Sequence, residues 1–407
     1  MNTSRRKFLK STGGTLAACG ISACSDTPND QRYNQADIQL LKTQRLQEAQ
    51  LAGKNRFGTH QYRGYRGLAE LPWFDLDSKG KLYCSDQSVP ASIDMHGHLG
   101  MSVLFEPHLD LHRKTGRVRH LLDCDQQNPG CDLELDKYIN SNFTEDALDT
   151  LGSTIRSQGL WGNDYSESQT IPNLLAEMDS MRVEKTAILP IKLGLWFGDN
   201  QTETWRKAVE KPAYEGRLIA GFSIHPRDSL NIEHMRAYAN SKQPNSVKLM
   251  KLHPTVQRFF PDVQAMMDVY AEAERLGVTV FFHGGRAGIE PEASHPFALP
   301  RHYEAVFANF PDLNIIIGHA GARDHEAMLE LAKKYPNVWM DIHGQSVTRL
   351  DHMIKTLGGE RLLFGTDWPF YHIGASLAKV LITTQNENLR VREAILRGNA
   401  LKLLNLL

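Results

Sequence analysis

One short stretch constrains this chain more than any other: Asp94-Met95-His96-Gly97-His98. On a strand, side chains alternate with period 2, so His96 and His98 project from one face. Far downstream, His283, His319 and Asp367 each close an apolar run beside glycine, in Phe282-His283-Gly284, Gly318-His319 and Gly365-Thr366-Asp367. Strand ends that carry imidazole and carboxylate groups do common work only if the sheet gathers them around one point. A closed barrel of parallel strands does this at its C-terminal rim. A doubly wound open sheet does not bring its first, fifth, sixth and eighth strands to one place.

Counting the remaining runs supports the barrel. Strand-like segments fall at 92–95, 185–189, 218–224, 247–252, 278–282, 314–318, 338–342 and 362–365. Amphipathic stretches at 262–276, 301–310 and 324–335 lie between them, so the pattern alternates strand and helix. The expected fold is α/β, a (β/α)8 TIM barrel over 61–407. Ahead of it, 73–77 and 81–84 flank Ser-Lys-Gly and read as a hairpin, while 36–52 shows a helical pattern of Ile38, Leu41, Leu46 and Ala49. The interval 99–170 is far longer than an ordinary strand-to-helix loop. It springs from the rim, with a helical stretch at 144–157, and reads as a cap over the pocket.

The first residues are an address. Ser4-Arg5-Arg6-Lys7-Phe8-Leu9-Lys10, followed by a weakly apolar stretch, matches a twin-arginine export signal. Ile21-Ser22-Ala23-Cys24 fits a lipoprotein box with Cys24 as the lipidated residue; Leu16-Ala17-Ala18-Cys19 fits too, with a shorter apolar region, and simple cleavage without lipid is the alternative. Residues 1–24 are thus read as signal and 25–60 as polar tether and short helix. The expected location is the periplasm, free or lipid-anchored. In that oxidising compartment Cys124 and Cys131, flanking the Asn-Pro-Gly turn signal, are candidates for a disulfide, which leaves Cys84 free. No run is long and apolar enough for a mature transmembrane helix.

Net charge is -1 over 407 residues, which points away from nucleic acid or another polyanion and towards a small-molecule substrate. A homo-oligomer stays open.

The motifs together resemble the amidohydrolase superfamily, in the amidohydrolase 2 branch that includes aminocarboxymuconate-semialdehyde decarboxylase. Its marks here are Ile93-Asp94-Met95-His96-Gly97-His98, Lys251-Leu252-His253-Pro254, Phe282-His283-Gly284-Gly285, Gly318-His319-Ala320-Gly321 and Phe364-Gly365-Thr366-Asp367-Trp368-Pro369. They run from about Pro90 to the C-terminus, the insertion excepted. The resemblance implies a divalent metal, Zn2+ before others and one ion before two, on His96, His98 and His283 with Asp367. It implies Asp367 as general acid and base towards a metal-activated water, and His319 as the group that polarises a carbonyl or holds an oxyanion. Lys251 is either a carboxylated metal bridge or a pocket residue. His253, Gln257 and Arg286 are placed to face substrate, Arg286 through a substrate carboxylate. Trp368, Arg323, His302 and His343 are neighbours. Hydrolysis of an ester, lactone or amide is the first expectation. Decarboxylation of an unsaturated or aromatic acid is the second, and a binding lipoprotein without catalysis the third.

Overall fold

Eight runs rich in Ile, Val, Leu and Phe need cover on both faces, as strands of a parallel sheet do. In the computed structural model, which describes residues 33–102, 109–124, 131–196, 198–242 and 246–405, they obtain it. The export motif, Cys19 and Cys24 lie outside the described residues. By compactness the chain divides into Met1–Ile38 and Gln39–Leu407. The described part of the first unit is the start of helix α1 (Gln35–Leu51).

In chain order the strands are β1 (Gln61–Arg63), β2 (Phe74–Leu76), β3 (Leu82–Cys84), β4 (Ser92–Gly97), β5 (Asp132–Glu134) and β6 (Val183–Ile188), then β7 (Leu218–Ser223), β8 (Ser246–Leu252) and β9 (Thr279–Phe282), and lastly β10 (Ile315–Ile317), β11 (Val338–Asp341) and β12 (Leu362–Leu363). Strands β4 and β6 to β12 form one eight-stranded sheet in chain order, each pair parallel. Its edges meet: Met95 N donates to Phe364 O at 2.9 Å and Gly97 bridges Trp368 in parallel. The sheet is a TIM barrel, as its sequence pattern predicts, with the eight expected strands in place.

Period 2 sorts the side chains. Leu249 and Phe281 belong to the barrel's inner cluster, while Met250, Leu252, Val280 and Phe282 join the shell that packs against the helices. The parity that turns Leu249 and Phe281 inward turns Lys251 and His283 inward as well, at the rim. Outside, helix α3 (Gln264–Leu276) buries Met266, Val269, Tyr270 and Ala273 at helical spacing and ends on Gly277 at φ 65°.

The insertion is organised. Its strand β5 pairs antiparallel with β1, helix α2 (Glu145–Trp161) starts on a Thr144 cap, and Cys124 and Cys131 are joined in a disulfide with Cα atoms 5.2 Å apart. Cys84 is free and buried. The hairpin ahead of the barrel is β2–β3. Strand β1 leaves no local trace in the sequence, because its partner β5 lies some seventy residues on. Helix α1 departs from its expected apolar face: Leu46 stays 63% exposed, and its one fully buried residue is Glu48. Among the described residues, no helix is long and apolar enough to cross a membrane.

Candidate metal centre

The strand ends deliver their polar residues to one buried cluster. The two histidines of β4 present Nε2 to the same oxygen: Asp367 Oδ1 lies 3.2 Å from His98 Nε2 and 3.5 Å from His96 Nε2. Their other nitrogens are committed. His96 Nδ1 bonds Asp341 Oδ2 at 2.7 Å, and His98 Nδ1 bonds the Leu189 carbonyl at 2.8 Å. A carbonyl only accepts, so Nδ1 of His98 carries the proton and its Nε2 is a bare lone pair. The same tautomer follows for His96 against a carboxylate. Two lone pairs therefore face a carboxylate oxygen, an arrangement that a cation between them satisfies.

Asp341 organises this half of the site. Beyond His96 it accepts the backbone N–H of His319 at 3.0 Å and that of His343 at 3.1 Å. Asp94 works in parallel beneath β4, taking the His96 N–H, the Thr366 N–H and the Thr366 hydroxyl. Space is tight enough that Gly365 admits no side chain, because a Cβ there would stand 1.9 Å from Asp341 Oδ1. Backbone strain marks the functional turns: Asp367 has φ 55° and His319 has φ 54°. Each costs on the order of 1–3 kcal/mol, which the surrounding contacts must offset.

The remaining bases ring the cluster. His319 Nε2 meets His283 Nδ1 at 3.1 Å, and His253 stacks on His283 with centroids 4.0 Å apart. Lys251 Nζ lies 3.1 Å from His96 Nε2 and 4.3 Å from the Phe281 ring centre. His343 Nε2 approaches Asp367 Oδ2 at 3.9 Å. Among the described residues, His283 Nε2, His319 Nδ1 and His343 Nε2 are buried without a hydrogen-bond partner. Such orphaned atoms call for an occupant.

Burial keeps these bases neutral. It holds His283 down to about 3 and His343 down to about 4, the Lys251 ammonium adding to the effect on His283. It also holds His96 well below the imidazole range, Lys251 adding again, and His319 likewise with His283 and His343 adding. Lys251 itself falls to about 8 through burial, against the pull of Asp367 and Asp341. Burial pushes the Asp341 carboxyl up to about 7 despite its backbone hydrogen bonds. Neutral imidazole is the ligand form, so the electrostatics suit a metal.

Of the residues expected from sequence, the structure brings His96, His98 and Asp367 within one ligand sphere, their donor atoms within 4.8 Å of one another. His283 reaches this group through His319 instead of joining it directly. His253 is held against His283 by its stack, and Gln257 holds the Ile224 and Lys192 carbonyls. Arg286 is engaged inside the protein: buried, with its guanidinium on Asp324 at 2.6 Å. A guanidinium so paired has its fork occupied, and His302 is turned towards Asp262. Trp368 is fully buried and donates Nε1 to Glu177 at 3.2 Å.

Sequence reasoning missed Asp341 and gave His343 no role. A signal existed, since Asp341-Ile342-His343-Gly344 at the end of β11 repeats the Asp94-Met95-His96-Gly97 pattern of β4. It also missed what the insertion delivers. Tyr138 is buried against Gly344, where a Cβ would meet its ring at 2.8 Å, and the Arg323 guanidinium lies over the ring, 5.1 Å from its centre. Glu48 of α1 pins this segment by accepting from Tyr138 N and Ser141 Oγ while pairing with Arg323 and Arg349.

Comparison with known proteins agrees with this geometry. The family model described as amidohydrolase matches residues 166–406, more than half of the chain. The chain belongs to the amidohydrolase family. Comparison of this amidohydrolase with curated protein sequences gives no match. Among solved structures it is similar to 5-carboxyvanillate decarboxylase from Sphingomonas paucimobilis, at TM-score 0.53 and 14% identity over 78% of this chain and 99% of that one. It is also similar to an uncharacterized TIM-barrel protein from Bordetella bronchiseptica, at TM-score 0.51 and 19% identity over 64% and 90%. A manganese-bound 5-carboxyvanillate decarboxylase from Novosphingobium aromaticivorans gives TM-score 0.51 and 15% identity over 65% and 89%. These likenesses concern the fold, and the fold is the TIM barrel described above.

Proposed function

We propose that this amidohydrolase is a metal-dependent hydrolase that cleaves an ester, lactone or amide of a small molecule. The observation that carries the reading is the convergence of two imidazole lone pairs on Asp367 Oδ1. His96, His98 and Asp367 would hold a divalent cation, Zn2+ suiting these donors best, with His283 reached through His319 as the further donor. When bound, that cation supplies Lewis acidity to the carbonyl and acidity to a water.

The chain's own residues do the rest. Asp367 takes a proton as the water oxygen bonds to the carbonyl carbon, and returns it to the departing oxygen or nitrogen as that bond breaks. His319, neutral and with a buried free Nδ1, is placed to hold the developing oxyanion. Lys251, on the same side as His96, suits a carboxylate on the substrate or the bridging role open to such a lysine. A cap role for Tyr138 and the turn Ile139–Asn142 is supported by the bond from Ile139 N to the Gly344 carbonyl, three residues beyond β11. Export by the twin-arginine route, with Cys24 lipidated, would place this chemistry in the periplasm; cell fractionation of the native chain and of Cys24→Ala tests that part.

Chelator-stripped protein should lose ester or lactone hydrolysis and regain it with Zn2+ or Mn2+; full activity in the stripped form would falsify the reading. A second reading, decarboxylation, draws on the 5-carboxyvanillate decarboxylases among the similar folds. There a C–C bond breaks, CO2 leaves, and Asp367 or a water delivers a proton to carbon. Product analysis separates the two: CO2 and a shortened acid, or an acid with an alcohol or amine.

A further inference from the structure

Apart from the metal-centre residues lies a cavity of about 320 Å³, walled by the β2–β3 turn, the insertion and the helix Ile171–Ser180. Five cationic side chains line it: Arg66, Lys79, Lys81, Lys114 and Arg117. Against them stand two carboxylates, Asp123 and Glu177. Asp123 pairs with Arg117 and cancels that charge, while Glu177 is buried at the floor, where it is engaged from within. Glu177 accepts from Trp368 Nε1 at 3.2 Å and Ile373 N at 2.8 Å, and meets His120 Nε2 at 3.0 Å. Among the described residues Lys79, Lys81 and Lys114 form no direct ion pair, although the exposed Asp77 carboxylate sits close enough to Lys79 and Lys81 to feel both.

We infer that this cavity binds a small molecule carrying two or more anionic groups, at a site separate from the metal centre. Like charges gathered around the rim of one concavity raise a positive potential there, which concentrates anions. The volume is that of a small-ligand pocket, too small for a folded partner. The floor gives the site a consequence. Glu177 holds the indole of Trp368, the residue directly after Asp367, and Trp368 O in turn accepts the His98 N–H. An anion drawing on His120 or His372 would alter how Glu177 grips that turn, so occupancy would be felt at the metal ligands.

The probe is m-benzenedisulfonate, a dianion that does not chelate metals, titrated calorimetrically into the full chain. It should bind about tenfold more tightly than benzenesulfonate. The double variant Lys81→Glu, Lys114→Glu should weaken binding by about tenfold or more, while the remote pair Lys207→Glu, Lys333→Glu, with the same change in net charge, should leave it within about twofold. Equal binding of mono- and dianion, no binding of either, or equal weakening by the remote pair would each overturn the inference.

Discussion

Asp341→Asn is the most informative single change, because it keeps shape while removing charge. Asp341 is fully buried and serves three donors: His96 Nδ1 and His319 N on Oδ2, and His343 N on Oδ1. An amide has one accepting oxygen. Placed at Oδ2, it leaves His343 N–H facing an NH2, at a cost of about 1–3 kcal/mol for one buried donor. Placed at Oδ1, it strands two donors and drives His96 to the other tautomer, whose Nε2–H points at the metal position. The first arrangement therefore prevails, and His96 keeps its bond to a neutral acceptor roughly half as strong as the original. Loss of such an orienting carboxylate typically weakens metal binding about 10–100-fold, or about 1.4–2.8 kcal/mol. Chelator competition on the folded variant measures this directly. An affinity within about twofold of the native value would refute the role assigned to Asp341.

Other outcomes follow from the same contacts. Asp367→Asn should leave the fold intact and lower kcat by about 10²–10⁴ in any hydrolytic assay, and a smaller loss would take the proton-transfer role from it. Glu48→Ala strands Arg323 and Arg349 and should destabilise the protein by about 3–5 kcal/mol in urea melts, a loss under about 1 kcal/mol counting against the buttress. Gly365→Ala should abolish metal retention, since its Cβ would collide with Asp341 Oδ1; normal metal content would show that the turn can yield. Acid should destabilise the metal-stripped chain. The imidazoles of His283 and His343 titrate near 6.5 when unfolded but at about 3 and about 4 when folded, so the unfolded state binds more protons between those values. His96, His253 and His319 shift the same way. Asp94 and Asp341, raised by burial, oppose them, their contribution fading as pH rises; for Asp341 that window ends at about 7. The five imidazoles outweigh the two carboxyls, so melting temperature should fall on acidification from pH 6.5 towards 4, and a flat profile would contradict the assignment.

The barrel was legible because each strand announces itself locally as an apolar run, several of them ending beside a polar residue and glycine. His96, His98 and Asp367 were legible for the same reason. What escaped was whatever depends on a distant partner. Glu48 reads as one more charge on a polar helix until Arg323 and Arg349 close on it from almost three hundred residues away. Arg286 reads as a substrate clamp because nothing local announces Asp324, thirty-eight residues on. The contacts that Tyr138 makes with Gly344 and Arg323 hid in an insertion whose turns carry no periodicity, although its disulfide was visible from the spacing of Cys124 and Cys131.

The most direct test is a crystal structure of the metal-loaded protein with anomalous data collected at the metal's absorption edge. A peak within coordination distance of His96 Nε2, His98 Nε2 and Asp367 Oδ1 is the expected result. No peak there from a fully loaded sample, or a peak held by other side chains, would contradict the assignment of this chain's chemistry.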